Sequence, residues 1–577
     1  MIDSPAPAGG LPLLKAVARI PLLPALILLA LALALLVPGV TDLPLTDRDE
    51  ALFVQATRQM HETGGYFDIR FQDEPRYKKP IGIYWLQAAA TAPFGGADAP
   101  LWAYRLPSQA AAVGSVLLTY LIGAILFGRG AGLVGAMLFA STILLGVEAR
   151  LAKTDGVLLF IVLAAQAVLA AAWMRVRSER TSARAAAGGV EPAGGALPMW
   201  AVVTFWVAVG LGILVKGPVI LLISGLTLAA LLLAARSFAL ASMLRPLWGL
   251  LIVVLLVAPW LVAIGIASDG AFFREALGRD FLGKIATAQE RHGAPPGAYL
   301  LAFLGTAWPM VPFVLLASPQ MLRRWREPAI LFCLLWIVPA WVAFEAVPTK
   351  LPHYVLPLYP ALAILAGAAL VRGGAAALRG WVRALAILLP LAPAVLGAAA
   401  IGLLLFVERR LPAWTDLSLL AAILASVWAA RAFWRDRLQA AVISAVAASM
   451  ALQAGVYAFA LPAFQTVWLS PRIVAEARRA TGCEAVTLAA AGYTEPSLVF
   501  FAGTGTRLGT PQAAAEWLAE RHGECALAAI EGAQAAVFHD AAAGLALEPE
   551  QVGAVDGFNY NRGRSATILL YRAAGQP

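Results

Sequence analysis

Thirteen apolar stretches dominate this 577-residue chain, at 21–40, 101–127, 131–147, 156–174, 199–215, 217–235, 246–267, 296–318, 328–347, 354–371, 384–405, 415–433 and 438–462. A helix needs about 20 such residues to cross the hydrocarbon core of a bilayer. Backbone in that environment must satisfy its own hydrogen bonds, so runs this long and this apolar are expected as membrane-spanning helices. The chain is 60% hydrophobic, well above the about 45–50% of soluble domains. The first stretch, Pro21–Val40, is too long and Leu-rich for a signal-peptide core and lacks an A-x-A cleavage pattern, so it reads as a retained span.

The connections between spans fall into two alternating sets. One holds Lys15 and Arg19, Arg129, the Arg175–Arg184 group, Arg236 and Arg245, Arg323–Arg326, Arg372–Arg383 and Arg431–Arg437, together 18 bases with few acids. An excess of that kind marks the cytoplasmic side. The other set holds loop 41–80, Glu148–Asp155, Lys216, Ser268–Pro295, Glu345–His353, Glu408–Arg410 and everything from about Ala463. Thirteen spans then put the N-terminus in the cytoplasm and the C-terminal region outside. The net charge of +9 sits in short loops, which implies no nucleic-acid partner.

From about residue 463 the composition changes. EAVTLAAA, SLVFFAG, ECALAAI, AAVFHD and SATILLYR read as short strands, and PQAAAEWLAERHG reads as a helix. The expected architecture is an all-α polytopic membrane domain of about 13 helices over residues 1–462, with a small soluble α/β domain over 463–577. Residues 178–198 read as a flexible cytoplasmic linker. Cys333 lies in an apolar run and reads as packing, whereas Cys483 and Cys525 leave a disulfide and two free thiols both open.

Loop 41–80 carries 14 charged side chains, eight acids and six bases, in a chain that is 13% charged overall. Charge so dense beside a span points to an active site at the membrane surface. Asp49-Glu50 heads a helix-like stretch that ends at Gly64-Gly65, so Asp49 sits near an N-terminus, where free N–H groups favour the ionised acid. Asp49 is thus either a capping acid or a carboxylate facing substrate and acting as general base. Lys78-Lys79 precede an apolar run and either snorkel to the interface or bind a lipid phosphate, with Arg70 and Arg76 as further cations. Arg150, Lys153 and Asp155 lie at a span boundary, where Asp155 is an N-cap or a second site acid. Lys216, in a two-residue turn between spans, is costly unless used. Lys350–Tyr354 adds a cation, a His and a Tyr among prolines that can line a cavity. His292 would need His61 or Glu290 beside it to hold a metal.

Taken in order, DE at the head of the first loop, KP before an IYWL-type span, RLAKTD, KGP and KLPHYVLPLYP resemble the ArnT/protein-O-mannosyltransferase superfamily of GT-C membrane glycosyltransferases, from about residue 20 to 370. NYNRGRSATILLYR also looks like the end of the soluble domain of ArnT-like members. The resemblance implies a polyprenyl-phosphate-sugar donor and a location in the bacterial inner membrane. It implies that Asp49 is the catalytic acid with Glu50 its neighbour, Asp155 the second acid, Lys79 the lysine on the lipid phosphate, and Lys216 and Tyr354 further cavity residues. Lys350 and Arg70 join the substrate-binding set on their position alone. Two departures stand out: Leu52 where ArnT has arginine, and Lys78 where it has a glutamate associated with metal binding. No metal ligand and no cofactor is therefore assigned, while a divalent metal stays open.

These readings together predict a glycosyltransferase that moves a sugar from the lipid phosphate to a lipid (lipid A-like) or protein hydroxyl or phosphate on the periplasmic face, with inversion. A polyprenyl-lipid or sugar transporter is the alternative. It calls for mid-membrane charges and repeated halves, whereas here the charges cluster on one face and no repeat is visible. A structural or assembly subunit is a third reading, which replacement of Asp49 by Asn would leave intact.

Overall fold

A computed structural model describes residues 11–46, 48–185, 196–276, 278, 283, 293–373, 381–521 and 525–574. His292 and Glu290, named above as a metal option, lie outside the described residues. The first nine helices are α1 (Pro12–Arg19), α2 (Leu23–Leu36), α3 (Asp49–Thr63), α4 (Gly82–Thr91), α5 (Leu101–Phe127), α6 (Arg129–Ala140), α7 (Ile143–Glu148), α8 (Thr154–Ala185) and α9 (Met199–Lys216). Among the described residues nine helices are individually long and apolar enough to cross a membrane, and α1 with α2 forms a tenth candidate bent by 114°. The chain is a multi-span membrane protein.

Every predicted span falls on helix, but four are interrupted. The 131–147 stretch breaks between α6 and α7, and 296–318 breaks into Ala298–Thr306 and Val311–Arg323. The 217–235 stretch keeps only Leu221–Ala235 as a short apolar helix. The 21–40 stretch bends where Leu22 adopts φ 66°. The expected linker begins later than predicted, because α8 continues to Ala185; residues 186–195 lie outside the described residues.

Two features of this bundle set the site. Gly82 of α4 lies against α9 so closely that a Cβ there would meet the Leu214 carbonyl at 2.8 Å, which brings Lys78–Pro80 beside the end of α9. Gly217 then turns the chain with φ 61° and ψ −140°, a region open only to glycine.

The C-terminal region contains a five-stranded sheet in the order β4-β3-β5-β7-β6. Its strands are β3 (Thr487–Ala491), β4 (Arg507–Gly509), β5 (Ala526–Glu531), β6 (Pro549–Asn559) and β7 (Arg564–Ala573); β1 (Arg70–Phe71) and β2 (Glu74–Pro75) form a separate hairpin in loop 41–80. β3 runs parallel to β4 and β5, whereas β7 is antiparallel to β5 and β6. Period-two alternation sends Leu488, Ala490, Leu527 and Ala529 into one core with helix Leu469–Thr481. Ala489, Ala491, Ala528 and Ile530 enter a second core with Trp517, Leu518 and Phe538. Cys483 and Cys525 are joined by a disulfide.

Two predicted strands are helices. SLVFFAG becomes Pro496–Ala502, started by Pro496 at its first position and stopped by Gly503 at φ 110°. AAVFHD lies in Ala535–Gly544 and packs Phe538 and Ala542 inward. Short apolar runs of this kind do not distinguish helix from strand by periodicity.

Candidate active site

The head of the first loop is fixed by one buried ion pair. Arg105 of α5 donates to Glu50 Oε1 at 2.8 Å and Oε2 at 3.1 Å, and also to the carbonyls of Val40, Leu43 and Pro44. Both side chains are fully buried. Glu50 further accepts from the Thr46 amide and hydroxyl and from the Ala152 amide. Burial alone pushes this carboxyl up, but the charge and hydrogen bonds of Arg105 and the amides of Ala152 and Thr46 outweigh it, holding it below the usual 4.5. Every polar contact of Glu50 is thus taken by the protein, which makes it an anchor between loop 41–80, α5 and the segment before α8. Asp49, one residue earlier, is exposed at the first position of α3, and among the described residues its side chain makes no ion pair.

A second cluster gathers four chain segments. Lys216, the last residue of α9 rather than part of the turn, forms an ion pair with Asp155 at the start of α8. His353 stands between two acids, with Nε2 3.7 Å from Asp155 Oδ1 and Nδ1 3.8 Å from Glu148 Oε1. Lys153 Nζ is 3.7 Å from Glu148 Oε1. Burial opposes the charged form of Lys153, but Glu148, Asp155, Asp49 and Glu50 together hold it above the usual lysine range. Tyr354 turns its ring toward Lys216, 5.2 Å from Nζ, and packs edge-on to His353.

Beside this cluster lies a groove of about 250 Å³. Its walls are apolar, with Leu214, Leu221, Trp260, Leu261 and Phe272 among them, and Lys78, Lys79 and Lys216 line it together with Pro80. An apolar channel with three lysines suits a long hydrocarbon chain that ends in an anion.

Other predicted residues sit elsewhere. Arg70 pairs with Asp68 at 2.7 Å and donates to the Asp73 carbonyl, in a half-exposed hairpin outside the groove lining. Lys350 is buried and donates to the carbonyls of Glu345 and Val347, capping helix Pro328–Ala346. Arg150 is fully buried and donates to the carbonyls of Leu35, Pro38 and Gly146, which joins α2 to α7. Arg76 is buried over the Phe53 ring and donates to Tyr84. Sequence reading passed over Arg105 and left Glu148 and His353 unassigned. A lone arginine in the apolar run of α5 was the available signal for Arg105, since a buried charge demands a partner.

The position that carries a metal-associated glutamate in the ArnT pattern is Lys78 here, and it lines the groove as a cation. Among the described residues no group of three or more His, Cys, Asp or Glu is arranged to hold a metal. Among the described residues, the ammonium of Lys78 supplies no ligand for a divalent ion at this position.

The profile of the family described as dolichyl-phosphate-mannose-protein mannosyltransferase matches residues 78–190. The undecaprenyl phosphate-alpha-4-amino-4-deoxy-L-arabinose arabinosyl transferase 1 of Pseudomonas fluorescens is 28% identical over 398 residues, covering 68% of this chain and 66% of that relative. The corresponding transferase of Erwinia tasmaniensis is 27% identical over 363 residues, covering 60% and 61%. The matched segment thus spans less than two thirds of each of these relatives. Among solved structures, ArnT from Cupriavidus metallidurans bound to undecaprenyl phosphate superposes with a TM-score of 0.71 at 18% identity, over 94% of this chain and 97% of that one. The ordered motifs, the fold and these similarities agree: the chain is similar to the ArnT-like and protein-O-mannosyltransferase glycosyltransferases and shares the fold of ArnT.

Proposed function

We propose that this protein transfers a sugar from a polyprenyl-phosphate donor to a lipid (lipid A-like) or protein hydroxyl or phosphate, with inversion at the anomeric carbon. The observation that carries this reading is the apolar groove lined by Lys78, Lys79 and Lys216, beside the Asp155–His353–Glu148 cluster. The groove takes the polyprenyl chain. Lys79 and Lys216 neutralise its phosphate and stabilise the charge that grows as the bond between anomeric carbon and phosphate oxygen breaks. Asp155 and Tyr354 hold Lys216 in place. Asp49, exposed at the head of α3, receives the proton of the acceptor hydroxyl as the new bond to carbon forms. The leaving group is the polyprenyl phosphate. Glu50 contributes by fixing the segment that carries Asp49.

In this reading residues 1–462 form the membrane domain and residues 463–577 a periplasmic domain, in a bacterial inner membrane with the N-terminus in the cytoplasm. The Cys483–Cys525 disulfide supports an oxidising surrounding for that domain.

The test is a sugar-transfer assay in membranes containing wild type, Asp49→Asn or Lys79→Ala. The reading expects both variants to lose transfer, and normal transfer by both would remove the residue assignment. Mass spectrometry of lipid A, glycans and envelope proteins from a deletion strain names the acceptor.

A further inference from the structure

The motif NYNRGR (559–564) closes the turn between β6 and β7. Asn559 Oδ1 accepts from the amides of Asn561 and Arg562 at 3.0 and 3.1 Å. The two side-chain amides then donate to a single carboxylate, Asn559 to Glu495 Oε1 at 3.3 Å and Asn561 to Oε2 at 3.1 Å. Glu495 is buried, and its Oε2 lies 3.6 Å from Arg48 Nε across the interface with the first loop. Arg48 directly precedes Asp49 and has φ 65° and ψ −98°, a conformation side-chain-bearing residues rarely adopt. Such backbone persists where its surroundings hold it.

The same segment of the C-terminal region clamps the rest of α3. Arg58 donates to the Phe500 carbonyl at 2.8 Å, and Thr504 bonds both Gln55 and Glu62 at 2.7 Å. Arg507 pairs with Asp73 at 3.0 Å. The helix that begins with Asp49 is thus gripped along its length by residues 495–507.

We propose that Glu495, oriented by Asn559 and Asn561, is a positioning residue that acts through Arg48 to set Asp49 at the head of α3. This rests on the reading of Asp49 as the acid that receives the acceptor proton. It gives the NYNRGR motif a role in turnover, with the C-terminal domain completing the site from outside the membrane.

The full-length chain is returned to its deletion strain as wild type, Arg48→Ala, Arg48→Lys, Glu495→Gln, the double variant Arg48→Ala/Glu495→Gln, and Asp49→Asn. The rate of acceptor modification is followed by mass spectrometry, and undecaprenyl phosphate binding and thermal unfolding are measured on the purified proteins. Arg48→Ala and Glu495→Gln are each expected to slow transfer on the order of 10- to 100-fold. The double variant should be no slower than the worse single, Arg48→Lys should recover much of the rate, and lipid-phosphate affinity and melting should stay at wild-type values. Wild-type rates for Arg48→Ala, losses that multiply in the double variant, or melting of Arg48→Ala that falls in step with its rate would each overturn the proposal. Arg48 is more than half exposed, so its variant answers the question even if Glu495→Gln fails to fold. If Asp49→Asn keeps full activity, the reading of Asp49 falls and this proposal with it. If Asp49→Asn is inactive while Arg48→Ala is not, only the positioning role falls.

Discussion

Replacing Arg105 by leucine removes the partner of a carboxylate that water does not reach. Five donor contacts disappear: two to Glu50, at 2.8 and 3.1 Å, and those to the carbonyls of Val40, Leu43 and Pro44 at 2.9, 2.6 and 3.0 Å. Breaking a buried pair by deleting one member costs about 3–5 kcal/mol, because the remaining charge stays desolvated. The penalty belongs to the orphaned charge more than to the lost attraction, so neutralising Glu50 in the same molecule should return part of it. Arg105→Leu is therefore expected to be the least stable protein of the set. Arg105→Leu/Glu50→Gln should regain at least about 1 kcal/mol, within the range that coupled neighbours show. The assay is equilibrium unfolding of wild type, both single variants and the double variant in one detergent at pH 7. Wild-type stability for Arg105→Leu, or additive losses in the double variant, would refute the argument that loop 41–80 is anchored through this pair.

Other outcomes follow from the same geometry. Because Glu50 is held below 4.5 in the fold, its stabilising contribution is complete above that value and is lost as pH falls through the folded pKa; acid unfolding curves of Glu50→Gln should be flatter than wild type below pH 4.5. Gly217→Ala forces a Cβ into backbone at φ 61° and ψ −140°, costing about 1–3 kcal/mol and weakening undecaprenyl phosphate binding by displacing Lys216, which a binding titration measures. Reducing the Cys483–Cys525 bond, 42 residues apart, should destabilise the C-terminal region by about 4 kcal/mol, read as accelerated proteolysis there while the membrane helices stay protected.

The spans were legible because bilayer thickness imposes a length on apolar runs, and this held even where the helices break. The break between α6 and α7 was not legible: the interruption at Ser141-Thr142 is polar for two residues only. In the C-terminal region Leu527–Ile530 and Val499–Phe501 look alike as apolar runs, yet one is strand and the other helix, because Pro496 and Gly503 set the second. For the site, residue order placed Asp155, Lys216 and Tyr354 in one neighbourhood, and the structure brings them together. It could not separate charges that face the groove from charges that staple the fold. Lys350 and Arg150 carry the same local signals as Lys79 and Lys216, but they lie outside the groove lining, Lys350 capping a helix through two carbonyls and Arg150 joining α2 to α7. That distinction depends on contacts between residues as far apart as Arg150 and Leu35, which no local pattern contains.

The central claim is that the lipid-linked substrate is cleaved, with its sugar passed to an acceptor. The direct measurement uses the purified chain in nanodiscs, supplied with undecaprenyl-phosphate-linked 4-amino-4-deoxy-L-arabinose and lipid A, the donor to be replaced by other undecaprenyl-phosphate sugars in parallel reactions. Free undecaprenyl phosphate and glycosylated acceptor are quantified together by mass spectrometry. For the sugar that is its substrate, the account predicts one free lipid phosphate released for each acceptor modified, and neither product with Asp49→Asn. Intact donor in every reaction, combined with donor movement across the bilayer of sealed vesicles holding the same protein, would contradict it.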